Sequence, residues 1–201
     1  VLGAMALPLA HQAHRLGSAQ APVVIEAFWD LCCPFSAKSF RTLSNVLMPW
    51  LEKEHPGKVQ LIFRQQIQPW HPQSTLMHEA VLAVEALDST KFWEYSGVLF
   101  DAQENFFDPD TVDKTRSQLY EELADLAAPL GIDKDALLEK LKITGNGGNA
   151  VTPFLKYFIK FSRATGTHVS PTILISGLRD DAPSSSWTLE QWKTHMEPHL
   201  L

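Results

Sequence analysis

Val23-Val24-Ile25-Glu26-Ala27-Phe28-Trp29-Asp30-Leu31-Cys32-Cys33-Pro34-Phe35-Ser36 is the stretch on which the reading of this chain turns. It opens with a β-branched apolar run, which favours a buried strand over about residues 23–28. It closes on a thiol followed by proline, and a helical pattern begins there. Proline suits the first helical position, because it has no N–H to lose and its φ is already set. Cys33 therefore stands at a helix N-terminus, where unpaired N–H groups and the helix dipole favour an anion and hence a thiolate. Ser36 lies one turn further on the same face, where its hydroxyl can donate to that sulfur.

Outward from this stretch, Phe40, Leu43, Leu47 and Trp50 recur at intervals of three and four, which continues the helix. Pro49 predicts a kink or a stop near Met48. His55-Pro56-Gly57-Lys58 is a turn, and residues 59–66 read as a second strand with Val59, Leu61 and Phe63 on one face. A strand, a helix and a parallel strand form a right-handed βαβ unit.

From Gln68 to about Gly166 the pattern is helical. One helix carries Leu76, Ala80, Val84 and Leu87. A second carries Phe92, Ser96, Leu99 and Gln103. A third carries Val112, Leu119, Leu126 and Leu130, capped by Asp108 or Asp110. Asp133 caps a short helix with Leu137, Leu138 and Leu141. After the loop Gly145-Asn146-Gly147-Gly148-Asn149, Thr152-Pro153 reads as N-cap and first position of a helix lined by Phe154, Phe158 and Phe161. Strand character returns at Pro171–Ser176, a turn follows at Gly177, and residues 180–186 form a polar loop. The last helix, capped by Thr188, carries Leu189, Trp192, Met196 and Leu200, with Pro198 ending its regular part. About a hundred residues between strands are too many for a loop, so they form a helical subdomain.

Ala21-Pro22-Val23 leading into Phe28-Trp29-Asp30 and Cys33-Pro34-Phe35-Ser36 resembles the active-site region of DsbA-like thioredoxin-fold proteins, which carry Cys-Pro-x-Cys at a strand-to-helix turn. Pro69-Trp70-His71-Pro72 resembles that family's entry into its inserted helices. Val169-Ser170-Pro171-Thr172 resembles the loop whose cis-proline faces the active-site cysteine. The resemblance implies an α/β protein: a thioredoxin fold with a helical subdomain inserted between the second and third strands. The domains are then a leader (1–20), a thioredoxin-like domain (21–67 and 167–201) and the insertion (68–166). It makes Cys33 the nucleophile, with Ser36 where the second cysteine would stand and Pro171 in cis, turning the Ser170 backbone towards Cys33 so that a client strand can pair with it. Pro34, Phe35, Ser170 and His168 would line the substrate site.

Composition narrows the function. Hydrophobic residues make up 45% of the 201 and charged residues 20%, as in a globular chain. The net charge of −6 and the lack of a long basic block exclude a nucleic-acid partner. No apolar run reaches the roughly 18 residues of a membrane span. Residues 1–10 are apolar without a basic start, a poor signal peptide, and Gly3-Ala4-Met5 reads as a cleavage scar. The two cysteines are adjacent, which rules out a disulfide framework and fits a soluble protein in a reducing, intracellular setting. No His/Cys grouping has zinc spacing, so no metal is expected.

The expected chemistry is that of one thiol. A thiolate attacks a disulfide and forms a mixed disulfide. The Ser36 hydroxyl cannot then release the product, so an outside thiol must, and glutathione is the natural co-substrate. Clients would be thiols or disulfides of proteins or glutathione. Cys32 can pair with Cys33 only through a strained ring, and reads as a small apolar filler rather than a second active thiol. Two competing readings remain: a glutathione transferase or isomerase resembling the kappa class, with Ser36 or Cys33 orienting a glutathione thiolate, and a non-catalytic thioredoxin-fold binding module.

Overall fold

A computed structural model describes residues 7–201. Residues 3–5, read above as a cleavage scar, and most of the apolar opening lie outside the described residues. The chain divides into two compact units.

The first unit holds the described residues up to Trp29, with Pro34–Arg64 and Val169–Leu201. Its sheet has five strands: β1 (Arg15–Gly17), β2 (Val23–Trp29), β3 (Val59–Gln65), β4 (Thr172–Ile175) and β5 (Leu178–Asp180), in the order β1-β3-β2-β4-β5. β1 runs antiparallel to β3, and β4 is antiparallel to both β2 and β5. Every residue of β2 and β3 is buried, so both faces of the central strands are covered. Trp29 packs edge-on against Phe40 and Phe63, with ring centroids 5.3 and 5.1 Å apart, and its indole N–H donates to Ser39 Oγ at 3.0 Å. Glu26 on β2 and Arg64 on β3 form an ion pair with side chains 2% and 1% exposed.

The leader is partly regular. A 3-10 segment, Leu9–His14, precedes β1, and the buried His14 donates through Nδ1 to the Phe63 carbonyl at 3.2 Å. Gly17 permits the close approach of β1: its φ is +84°, and a Cβ there would sit 2.6 Å from the Val59 carbonyl oxygen. The hairpin β4–β5 turns on Ser176 and Gly177, with φ of 51° and 83°, the two positive values of a type I′ turn. β5 fills the two residues between the expected turn and the expected polar loop and takes only that loop's first residue, Asp180.

Pro49 does not stop its helix. α1 (Pro34–Thr42) passes through a π-helical turn, Leu43–Leu47, into α2 (Met48–Glu54). There the Met48 N–H reaches back to the Leu43 carbonyl, a wider turn that accommodates a residue without an N–H. The last helix of the chain, Leu189–Leu200, likewise runs through Pro198; Thr188 caps it in a capping box with Gln191, and Trp192 and Met196 are its buried residues.

The second unit holds Asp30–Cys33 and Gln65–His168. Its axis is α3 (Ser74–Leu87), packed by α4 (Phe92–Asp101), α6 (Arg116–Ala127), α7 (Lys134–Leu141) and α8 (Thr152–Ala164). α5 (Asp108–Thr111) is a single turn, and the Leu189–Leu200 helix is α9. The expected helix through Val112 and Leu126 is thus two elements: Val112 is 79% exposed, and α6 starts from a capping box of Thr115 and Gln118. Asp133 caps α7. At α8 the cap falls one residue earlier, at Val151, and the Asn149 side chain accepts from the N–H groups of Val151 and Thr152. The buried face of α8 carries Leu155, Phe158 and Ser162, while Phe154 is 39% exposed. Among the described residues, no helix is long and apolar enough to cross a membrane.

Candidate active site

β2 ends at Trp29, the chain turns through Asp30–Cys33, and α1 begins at Pro34. Cys33 is thus the residue before a helix, as its proline neighbour requires. Pro34, Phe35 and Ser36 form the first turn; Phe35 is 58% exposed with the Lys38 ammonium 5.9 Å from its ring centroid, and Ser36 is fully buried. Ser170 and Pro171 are joined by a cis peptide bond. They precede β4, whose first residue, Thr172, pairs with Phe28. The register therefore sets Pro171 just before the residue of β4 that pairs with Phe28. His168 is exposed and donates through Nδ1 to the Gly166 carbonyl at 3.0 Å.

Within the second unit the turn is held from several sides. Asp30 is fully buried. Its Oδ1 accepts from the Cys32 N–H at 2.8 Å and Ser74 Oγ at 2.7 Å, and its Oδ2 accepts from the Gln68 N–H and His71 Nδ1, each at 3.0 Å. The His71 pKa is raised, first by that hydrogen bond to Asp30 and further by the charges of Asp30 and Asp108, against a smaller opposing effect of burial. The buried His78 bridges two segments: Nδ1–H donates to Gln65 Oε1, and Nε2 accepts from the Leu31 N–H at 3.2 Å. Gln103 Nε2 donates to the carbonyls of Leu31 and Cys33 at 3.0 and 3.4 Å.

The two thiols form no disulfide and differ in setting. Cys32 is 1% exposed, and its Sγ–H donates to the Phe106 carbonyl at 3.5 Å. Burial first, then the charges of Asp30, Asp108 and Cys33, push its thiol up to about 12. Cys33 is 6% exposed, and its N–H donates to the Asp30 carbonyl at 3.0 Å. Trp70, in the Pro69–Pro72 stretch, is 59% exposed.

Ser74, His78 and Gln103 are site residues that sequence patterns miss, and Asp30, though part of the stretch that carries the family resemblance, is given no role by it. Periodicity marks Ser74 and His78 as helical and nothing more, and an aspartate before a cysteine carries no motif by itself.

This architecture is that of a DsbA-like thioredoxin fold. The thioredoxin family's sequence model matches residues 10–194, and the chain belongs to that family. Three solved structures of this fold illustrate the likeness. A candidate protein-disulfide isomerase from Pseudomonas syringae is 24% identical, with a TM-score of 0.74, over 94% of this chain and 99% of that one. BdbD from Bacillus subtilis is 24% identical, with a TM-score of 0.70, over 93% and 92%. The thiol-disulfide exchange protein alpha-DsbA2 from Wolbachia pipientis is 17% identical, with a TM-score of 0.67, over 92% and 86%. No curated protein matches the chain.

Proposed function

We propose that the chain is a thiol-disulfide exchange protein that works through Cys33 alone and reshuffles the disulfides of thiol or disulfide clients. The observation that carries this reading is the inequality of its thiols: Cys32 is buried, hydrogen-bonded to Phe106 and held protonated, so Cys33 is the thiol left to react. The names of the Pseudomonas syringae and Wolbachia pipientis proteins lend support, because both concern disulfide chemistry.

The Cys33 thiolate attacks one sulfur of a client disulfide. One S–S bond breaks and one forms, and the displaced client sulfur leaves as a thiolate that takes up a proton. A hydroxyl at Ser36 does not attack the mixed disulfide. Release falls to a second client thiol, which gives isomerisation without net oxidation, or to glutathione as co-substrate. Phe35 offers exposed apolar contact to the client. Ser170, beside Pro171, offers backbone for pairing with an extended segment. Pro34 starts the helix, and His168 lies on the approach to the Ser170 loop.

The test is reactivation of a scrambled disulfide-containing substrate. Cys33→Ser is expected to abolish it and Cys32→Ala to retain it. Activity that survives Cys33→Ser, or that needs Cys32, overturns the reading.

A further inference from the structure

Cys32 and Cys33 are chemically identical neighbours, yet a single-thiol mechanism needs one of them silent. The structure offers a cause. Asp30 holds the amides of both: its side chain takes the Cys32 N–H at 2.8 Å and its carbonyl takes the Cys33 N–H at 3.0 Å. The oxygen that holds Cys32 is itself fixed by Ser74 Oγ at 2.7 Å, from the first turn of α3, and the other oxygen by Gln68 and His71. With its amide fixed, Cys32 directs Sγ to the Phe106 carbonyl.

We infer that Asp30 is the positioning residue that selects Cys33 over Cys32: by fixing the Cys32 amide it turns that thiol onto Phe106 and leaves Cys33 to exchange. The inference rests on the single-thiol reading above. Burial and the negative charges of Asp30 and Asp108 act in the same direction, since each opposes a Cys32 thiolate. The charged and titratable groups bearing on this corner include Asp30, Asp108 and Cys33, with His71 on the Asp30 carboxylate and His78 on the Leu31 amide.

Three variants separate positioning from charge, with iodoacetamide labelling of each cysteine mapped by peptide mass spectrometry between pH 7 and 10. In the unaltered protein Cys33 labels and Cys32 does not. Asp30→Asn removes both the charge and one acceptor, and raises Cys32 labelling about tenfold, the equivalent of one pKa unit. Ser74→Ala changes no charge but loosens the Asp30 carboxylate, and raises Cys32 labelling severalfold. Asp108→Asn changes charge alone and has the smallest effect. Should Asp30→Asn fail to fold by near-ultraviolet circular dichroism, Ser74→Ala decides. Equal labelling of the two cysteines in the unaltered protein overturns the inference, as does a Ser74→Ala variant indistinguishable from it. If glutathione disulfide modifies neither cysteine while the labelling contrast holds, the exchange reading falls and the selection by Asp30 stands.

Discussion

Arg64→Met is the perturbation whose cost follows most directly from the packing. Arg64 and Glu26 sit on neighbouring central strands with side chains 1% and 2% exposed, and the guanidinium Nε and Nη2 reach the same carboxylate oxygen at 2.6 and 2.5 Å. Burial is the dominant influence on Glu26 and raises its pKa, against the opposing pull of Arg64. Methionine fills much of the arginine volume but leaves a buried, unpaired carboxylate. Removing one member of a buried pair costs about 3–5 kcal/mol, a large part of the roughly 5–15 kcal/mol that holds a domain folded. An acid whose folded pKa is raised is best tolerated at low pH, and the stability is lost as pH rises through the folded value. The cost of Arg64→Met is therefore greatest near neutrality and shrinks as the pH falls and Glu26 takes up a proton. Adding Glu26→Leu removes the orphaned charge and recovers most of the loss. The assay is urea denaturation followed by far-ultraviolet circular dichroism at pH 5 and 7. A cost below about 1 kcal/mol at pH 7, or a double variant no better than Arg64→Met alone, refutes the reasoning.

Three further outcomes follow from the same structure. Ser36→Cys supplies a thiol one helical turn from Cys33, and is expected to replace a persistent mixed disulfide by an internal bond between Cys33 and the introduced thiol, seen as loss of both thiols without added mass from the client. Because the His71 pKa is raised in the folded state, its contribution to stability is fully present below the unfolded histidine value of about 6.5 and is lost as pH rises through the folded one; His71→Asn, which keeps a donor but cannot titrate, flattens that dependence in denaturation curves taken across pH 6–8. Gly17→Ala forces a Cβ to 2.6 Å from the Val59 carbonyl oxygen at a φ of +84°, so a loss of about 1–3 kcal/mol is expected by thermal or urea unfolding, and an unchanged midpoint argues against the pairing of β1 with β3.

Much of the fold is legible in local pattern. The β-branched run at Val23, the Cys33-Pro34 helix start and the caps at Asp133 and Thr188 each announce themselves within a few residues. The parts that are not legible depend on distant partners. β1 is three residues long and exists through its pairing with β3. β5 is short and exposed, with Leu178 77% accessible, so it lacks the apolar alternation of a strand, and its Ser176-Gly177 turn is the stronger signal. The π-helical turn before Pro49 shows that a proline can be absorbed by widening the preceding turn. The site divides in the same way. The adjacent cysteines are visible at once, but Asp30 meets Gln68, His71 and Ser74 across 38 to 44 residues of sequence, and no local periodicity encodes such a meeting.

Exchange through one thiol, Cys33, can be seen in the adduct that the protein forms. The most direct measurement is intact and peptide mass spectrometry after incubation with glutathione disulfide and removal of free glutathione. A single glutathionyl group is expected, on Cys33, that persists until a thiol is added and is absent from Cys33→Ser. Modification of Cys32 instead, a Cys32–Cys33 disulfide, or no adduct at all contradicts it.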